Sequence, residues 1–170
     1  MKTVGILGGG QLARMLVLAG APLGLRFLVV DGAADACAGQ VAPLLRADWR
    51  DFDTLAGFAQ RVDVATFDFE NVPAQTAQWL AARTRVFPNP RALEIAQDRL
   101  AEKNLFGEIG LDTPAFAAVD SRADLDRAIA AIGLPAVLKT RRLGYDGKGQ
   151  AVLRTREDVD AAWNTLGSAP

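Results

Sequence analysis

Short apolar runs and helical periods alternate along the first half of the chain. Thr3–Leu7 is an uninterrupted β-type run; Leu12, Met15, Leu16 and Ala19 then recur at helical spacing, until Gly20 to Pro22 stops the pattern. Phe27 to Val30 supplies the next strand, which completes one βαβ unit. After a polar stretch the pattern predicts a helix around Asp53 to Gln60, a strand from Val62 to Phe69, a helix around Ala74 to Ala82 and a short strand at Val86 and Phe87. Strands alternating with helices predict a parallel sheet covered on both faces.

Phe87-Pro88-Asn89-Pro90 punctuates the chain, because each proline disfavours helix in the residue before it. Two helical stretches follow from Arg91 to about Ile109, and the grammar restarts at Thr113. A strand is expected at about Phe116 to Val119, then a helix opened by Ser121 and Asp124 in capping-box spacing and stopped by Gly133. Ala136–Lys139 reads as a strand, 140–149 as a loop and Gln150–Leu153 as a returning strand. Thr155 and Asp158 repeat the capping box before a helix to Leu166. The division predicted is therefore an α/β domain over residues 1–90 with a Rossmann-like parallel sheet, and a second domain from 91 to 170. That second domain has little sheet to cover its core and is expected to be cut short.

Composition narrows the chemistry. Half of the 170 residues are hydrophobic and 23% are charged, which is ordinary globular composition. The 19 Lys and Arg balance 20 Asp and Glu, and neither sign gathers into a run, so no nucleic-acid or membrane-surface footprint is expected. Cys37 is the single cysteine and histidine is absent, which removes histidine triads, CxxC metal sites and an internal disulfide. The N-terminus lacks the form of a signal peptide or membrane span, and a reducing cytoplasm is the expected compartment.

Two glycine-rich loops carry the candidate chemistry. Gly8, Gly10 and Ala13 fit GxGxxA between a strand and a helix, where backbone N–H groups and the positive helix end can face an anion. Asp31 ends strand two about twenty residues on, where a dinucleotide fold places the acid for a ribose hydroxyl. An NAD-dependent oxidoreductase is accordingly one reading, and a tight turn without a ligand is another. Gln11, at the helix start, suits either a polar ligand or the turn itself. The second loop, Gly144-Tyr145-Asp146-Gly147-Lys148-Gly149-Gln150, follows Lys139 at a strand end. Its backbone can fold over a polyphosphate, with Lys139 and Lys148 supplying charge. It returns into a strand, unlike a Walker loop. A solvated hairpin turning at Asp146-Gly147 is the plain alternative.

Four stretches in this order carry a resemblance: Gly8 to Met15; Thr66-Phe67-Asp68-Phe69-Glu70-Asn71-Val72-Pro73; Asp98-Arg99 with Lys103; and Lys139 with Gly144 to Gln150. Together they resemble the 5-(carboxyamino)imidazole ribonucleotide synthases, ATP-grasp ligases of purine biosynthesis, nearly end to end. The second stretch departs from the family's usual Thr-Tyr-Glu-Phe-Glu-Asn, since Phe67 and Asp68 replace the aromatic hydroxyl and the longer acid.

The resemblance implies a three-domain enzyme that uses ATP, bicarbonate and magnesium to carboxylate the exocyclic amine of aminoimidazole ribonucleotide through carboxyphosphate. It implies ATP contacts from Arg99, Lys139, Gly144, Tyr145, Asp146, Gly147, Lys148, Gly149 and Gln150. It implies that Gln11, Leu12, Glu70 and Asn71 fall where related ATP-grasp enzymes of the pathway hold the ribonucleotide, the plain alternative being that Glu70 and Asn71 only cap the helix after Pro73. Tyr145 and Asp146, at the loop tip, are placed to meet substrate or bicarbonate, or simply to form the turn. The family's magnesium carboxylates, its adenine-binding strand and its C-terminal domain would come after Pro170, so the expectation is a Rossmann-like domain followed by an incomplete ATP-grasp domain, inactive alone and a homodimer when full length. A different ATP-grasp ligase, an NAD-dependent oxidoreductase and a non-catalytic binding module are the rival readings.

Overall fold

The computed structural model describes residues 1–144 and 146–167, and their contacts divide into two compact units, Met1–Glu94 and Ile95 onward. In the first, β1 (Thr3–Leu7), β2 (Arg26–Asp31), β3 (Leu44–Arg46), β4 (Val64–Phe67) and β5 (Arg85–Val86) form one sheet in the order β3-β2-β1-β4-β5. Every pairing is parallel. Helices α1 (Gln11–Gly20), α2 (Phe52–Arg61) and α3 (Ala74–Ala81) connect the strands, and α4 (Pro90–Ala96) carries the division between the units.

Strand periodicity sorts the central residues between two cores. Ile6 and Val29 pack with Ala13 and Val17 of α1, while Leu7, Leu28 and Val30 pack with Leu55 and Phe58 of α2 and Ala77 and Leu80 of α3. Both faces of β1 and β2 are buried, which is why these strands read as continuous apolar runs and not as alternation. Gly5 is required by this packing: a Cβ there would lie 2.3 Å from the Phe58 ring. Thr76, the buried polar side chain of this core, is satisfied by donating to the Trp49 carbonyl at 2.9 Å.

The second unit contains α5 (Arg99–Glu108), α6 (Arg122–Ile132), the antiparallel pair β6 (Ala136–Lys139) and β7 (Gln150–Leu153), and α7 (Arg156–Leu166). Leu125 and Ile129 of α6, Leu153 of β7 and Val159 and Ala162 of α7 form its core. Ser121 caps α6, and Thr155 with Asp158 makes a complete capping box on α7.

Several boundaries differ from the sequence expectation. No strand forms at Phe116–Val119, because β6 and β7 pair only with each other among the described residues and leave that segment without a ladder partner. Its residues 116–118 are exposed and only Val119 packs on the core. β4 ends at Phe67, since the Asp68 side chain turns toward the start of α1. β5 takes Arg85 and Val86 and leaves Phe87 61% exposed. The stretch read only as polar contains β3 and a 3₁₀ turn at Cys37–Gln40; three strand residues after Pro43 are too few to show a period. Among the described residues no helix is long and apolar enough to cross a membrane.

Candidate functional site

In the first unit the strand order reverses between β1 and β4, so the connections leaving their C-terminal ends diverge and open a crevice, the usual ligand position in such sheets. Gly8–Gly10 leaves β1 here, and 68–73 leaves β4. The glycine amides are all engaged by the chain itself. Gly8 N–H donates to the Val30 carbonyl at 2.9 Å, Gly9 N–H to Asp31 Oδ2 at 2.7 Å and Gly10 N–H to Asp68 Oδ2 at 2.9 Å. Asp31 Oδ1 also accepts the Ala33 N–H at 2.8 Å.

This arrangement counts against the dinucleotide reading. A pyrophosphate at this loop would meet two carboxylates in place of free amides, and Asp31, which would have to reach a ribose hydroxyl, is spent on Gly9 and Ala33. Gly8 has φ +97°, and a Cβ there would stand 1.7 Å from Asp68 Oδ1, so the glycine makes room for the carboxylate. Burial pushes the Asp68 carboxyl above its ordinary value, opposed by the Gly10 and Ala13 amides and reinforced by the Asp31 charge. Its Oδ1 atom is buried without a hydrogen-bond partner among the described residues. Asp68 thus organises the loop, a role that its place in the second motif did not reveal.

Beside Asp68 a groove of about 450 Å³ is lined by Leu12, Met15, Leu16 and Ala19 of α1 and by Phe67. Leu12 is 58% exposed in it. Gln11 is exposed at the head of α1, its amide oxygen 3.9 Å from the Cys37 thiol. Glu70 and Asn71 are exposed in the connection after β4. The two predicted pairs therefore leave adjacent strands at the same edge of the sheet.

In the second unit, the register pairs Val137 with Val152 and Lys139 with Gln150, which puts these four side chains on one face of the hairpin. Ala136, Leu138, Ala151 and Leu153 occupy the other face and pack on the core. The open face thus combines two exposed valines with an exposed ammonium and amide. The loop 140–149 that joins the strands is held at its base by Thr140 N–H donating to the Gly149 carbonyl at 2.8 Å. Gly147 and Gly149 have φ +80° and +66°, and Asp146 adopts φ +48°, a region that Asp tolerates better than most residues. Asp146, Gly147 and Lys148 are exposed, and Gly144 and Gly149 are half-buried. A Cβ on Gly149 would lie 2.5 Å from Thr140 Oγ1. Arg99, the first residue of α5, donates from Nη2 to the Gly144 carbonyl at 2.6 Å. The role expected of Tyr145 lies outside the described residues.

Comparisons with known proteins follow the same two-part division. Residues 1–97 match the ribonucleotide synthetase preATP-grasp domain, and residues 104–170 match the ATP-grasp domain. The N5-carboxyaminoimidazole ribonucleotide synthase of Pseudomonas aeruginosa is 55% identical over 167 residues, 98% of this chain and 46% of that protein. The crystal structure of N5-carboxyaminoimidazole ribonucleotide synthetase from Thermus thermophilus aligns with a TM-score of 0.88 at 48% identity, covering 96% of this chain and 44% of that one. The Staphylococcus aureus synthetase complexed with ADP aligns at 0.93 and 33% identity, covering 98% and 45%. The chain spans about half the length of the curated synthases it matches.

Proposed function

The chain belongs to the ribonucleotide synthetase preATP-grasp family, and on that premise we propose that it is the ribonucleotide- and phosphate-binding half of an ATP-dependent N5-carboxyaminoimidazole ribonucleotide synthase. The observation that carries the reading is the β6–β7 hairpin. Its open face offers two valines to a flat apolar ring, and Lys139 stands at the strand end from which the glycine-rich loop departs. An ATP base can lie on the valines while its phosphates meet Lys139 and the backbone N–H groups of the loop.

In the reaction so assigned, a bicarbonate oxygen attacks the γ-phosphorus, ADP leaves, and carboxyphosphate forms. The exocyclic amine of 5-aminoimidazole ribonucleotide then attacks its carbon and expels phosphate. Within this chain, Lys139 and Lys148 offset phosphate charge, Arg99 supplies a planar donor fork, and the loop closes over the intermediate to keep water out. Gly144, Asp146, Gly147 and Gly149 form that cover, and Gln150 stands at the start of β7 opposite Lys139. Gln11, Leu12, Glu70 and Asn71 hold the ribonucleotide in the β1–β4 crevice. There the engaged glycine amides shape the wall of a substrate site and are not donors to a pyrophosphate.

The family resemblance extends the proposal to a cytoplasmic homodimer when full length. The described residues gather no set of three carboxylate or cysteine side chains that fits the implied magnesium. The test is Lys139→Ala in the longer protein, assayed for ATP hydrolysis dependent on aminoimidazole ribonucleotide and bicarbonate. Loss of one phosphate-facing charge is expected to lower kcat/KM by about 100-fold. Unchanged turnover would overturn the assignment of Lys139.

A further inference from the structure

Arg99 is bonded into the loop that the preceding reading places over phosphates. Its Nη2 donates to the Gly144 carbonyl at 2.6 Å, and its backbone N–H donates to the Arg141 carbonyl at 3.0 Å. Asp98, the residue before it, caps α5 through Oδ1, which accepts the Leu100 and Ala101 N–H groups, and its Oδ2 lies 3.7 Å from the Arg142 guanidinium. Thr140 Oγ1 donates to the Arg142 carbonyl at 3.0 Å. The start of α5 therefore grips the loop at three points, Arg141, Arg142 and Gly144.

The Gly144 bond differs from the other two because it spans a strained residue. Leu143 has φ 60° and is 70% exposed, so a non-glycine side chain sits in the left-handed region with little packing to hold it there. The guanidinium bond on the next carbonyl is what fixes that turn. A side chain at Gly144 would crowd this bond, since a Cβ would approach Arg99 Nη2 to 3.1 Å and the Lys148 carbonyl to 3.0 Å.

We propose that Arg99 is a positioning residue that latches the glycine-rich loop through Gly144 when no nucleotide is present, and that a polyphosphate releases the latch by taking the guanidinium. A neutral carbonyl offers one charge-assisted bond, whereas a phosphate offers two parallel acceptors and a full charge, so the anion wins the competition. Leu143 then relaxes and the loop is free to move only after its ligand has arrived. The release step rests on the nucleotide reading above; the latch does not.

Amide hydrogen exchange by NMR on the 170-residue chain tests the latch without ligand. In Arg99→Met, the amides of Thr140 and residue 99, which donate to the Gly149 and Arg141 carbonyls, are expected to exchange about tenfold faster, with α6 and β7 unchanged. Equal loop exchange in both proteins overturns the latch. If Arg99→Met loses protection throughout, the wild-type guanidinium decides: slow rotation about its Nε–Cζ bond supports the latch and free rotation overturns it. Release is tested by adding tripolyphosphate or ADP to the wild type, with binding followed by calorimetry. Joint movement of the Arg99 side-chain signal and loop exchange supports release; bound anion with an unmoved Arg99 signal overturns it. Failure of both anions to bind overturns release together with the nucleotide reading, and the ligand-free comparison judges the latch alone.

Discussion

Asp68 shows how one side chain converts a common motif into an uncommon loop. Its carboxylate reaches from the end of β4 to the Gly10 amide, into space that Gly8 leaves open. The geometry has a pH signature. The folded-state pKa lies above the ordinary 3.8 because burial disfavours the charged form. A raised carboxylate pKa means that the folded state binds the proton more tightly than the unfolded chain. The Asp68 contribution to stability is therefore largest below 3.8 and declines as pH rises through the folded pKa. Asp68→Asn removes this titration, so the variant should gain stability relative to the wild type between acid and neutral pH. Urea midpoints measured across that range check it, and parallel pH profiles would contradict it. None of this could be read from the loop sequence. The glycines were legible as a strand-to-helix turn, but the fate of their amides depends on Asp31 and Asp68, 22 and 58 residues away.

Among the elements, the helices with local start and stop signals were the most legible. Thr155 and Asp158 form both bonds of the box predicted from their spacing, with Asp158 N–H donating to Thr155 Oγ1 at 3.3 Å and Thr155 N–H donating to Asp158 Oδ2 at 2.9 Å. Thr155→Ala should destabilise the second unit by about 1 kcal/mol, read as a shift in its thermal or urea midpoint with far-UV helicity otherwise retained. An unchanged midpoint would mean that α7 is held by Val159 and Ala162 alone. Strands were legible in proportion to burial. β1 and β2, covered on both faces, stood out as apolar runs, whereas β3 and β5 depend on neighbours that a sequence window does not contain. The expected strand at Phe116–Val119 failed for the same reason, since propensity without a partner edge makes no ladder. Lys139 and Gln150 were legible as residues flanking a loop, but their common face with Val137 and Val152 follows only from the register.

At the scale of the molecule, each unit has its own core, and Leu93, 2% exposed, ties the first part of α4 to the sheet that precedes it. Residues 1–97 should accordingly fold alone. The expected result is a cooperative urea transition of the isolated segment with mixed helix and strand circular dichroism; a broad, non-cooperative loss of signal would contradict it. The five-stranded sheet carries a further consequence at its margins. Its outermost strands, β3 and β5, have three and two residues, so they present few unpaired backbone groups to a neighbouring molecule. The β6–β7 pair has four residues in each strand, exposed valines on one face, and no further strand beside either among the described residues. The second unit therefore presents a strand edge to a neighbouring molecule that the first unit keeps short. Charged substitutions at Val137 or Val152 would improve shelf life at the expense of the apolar face on which a nucleotide base is proposed to rest.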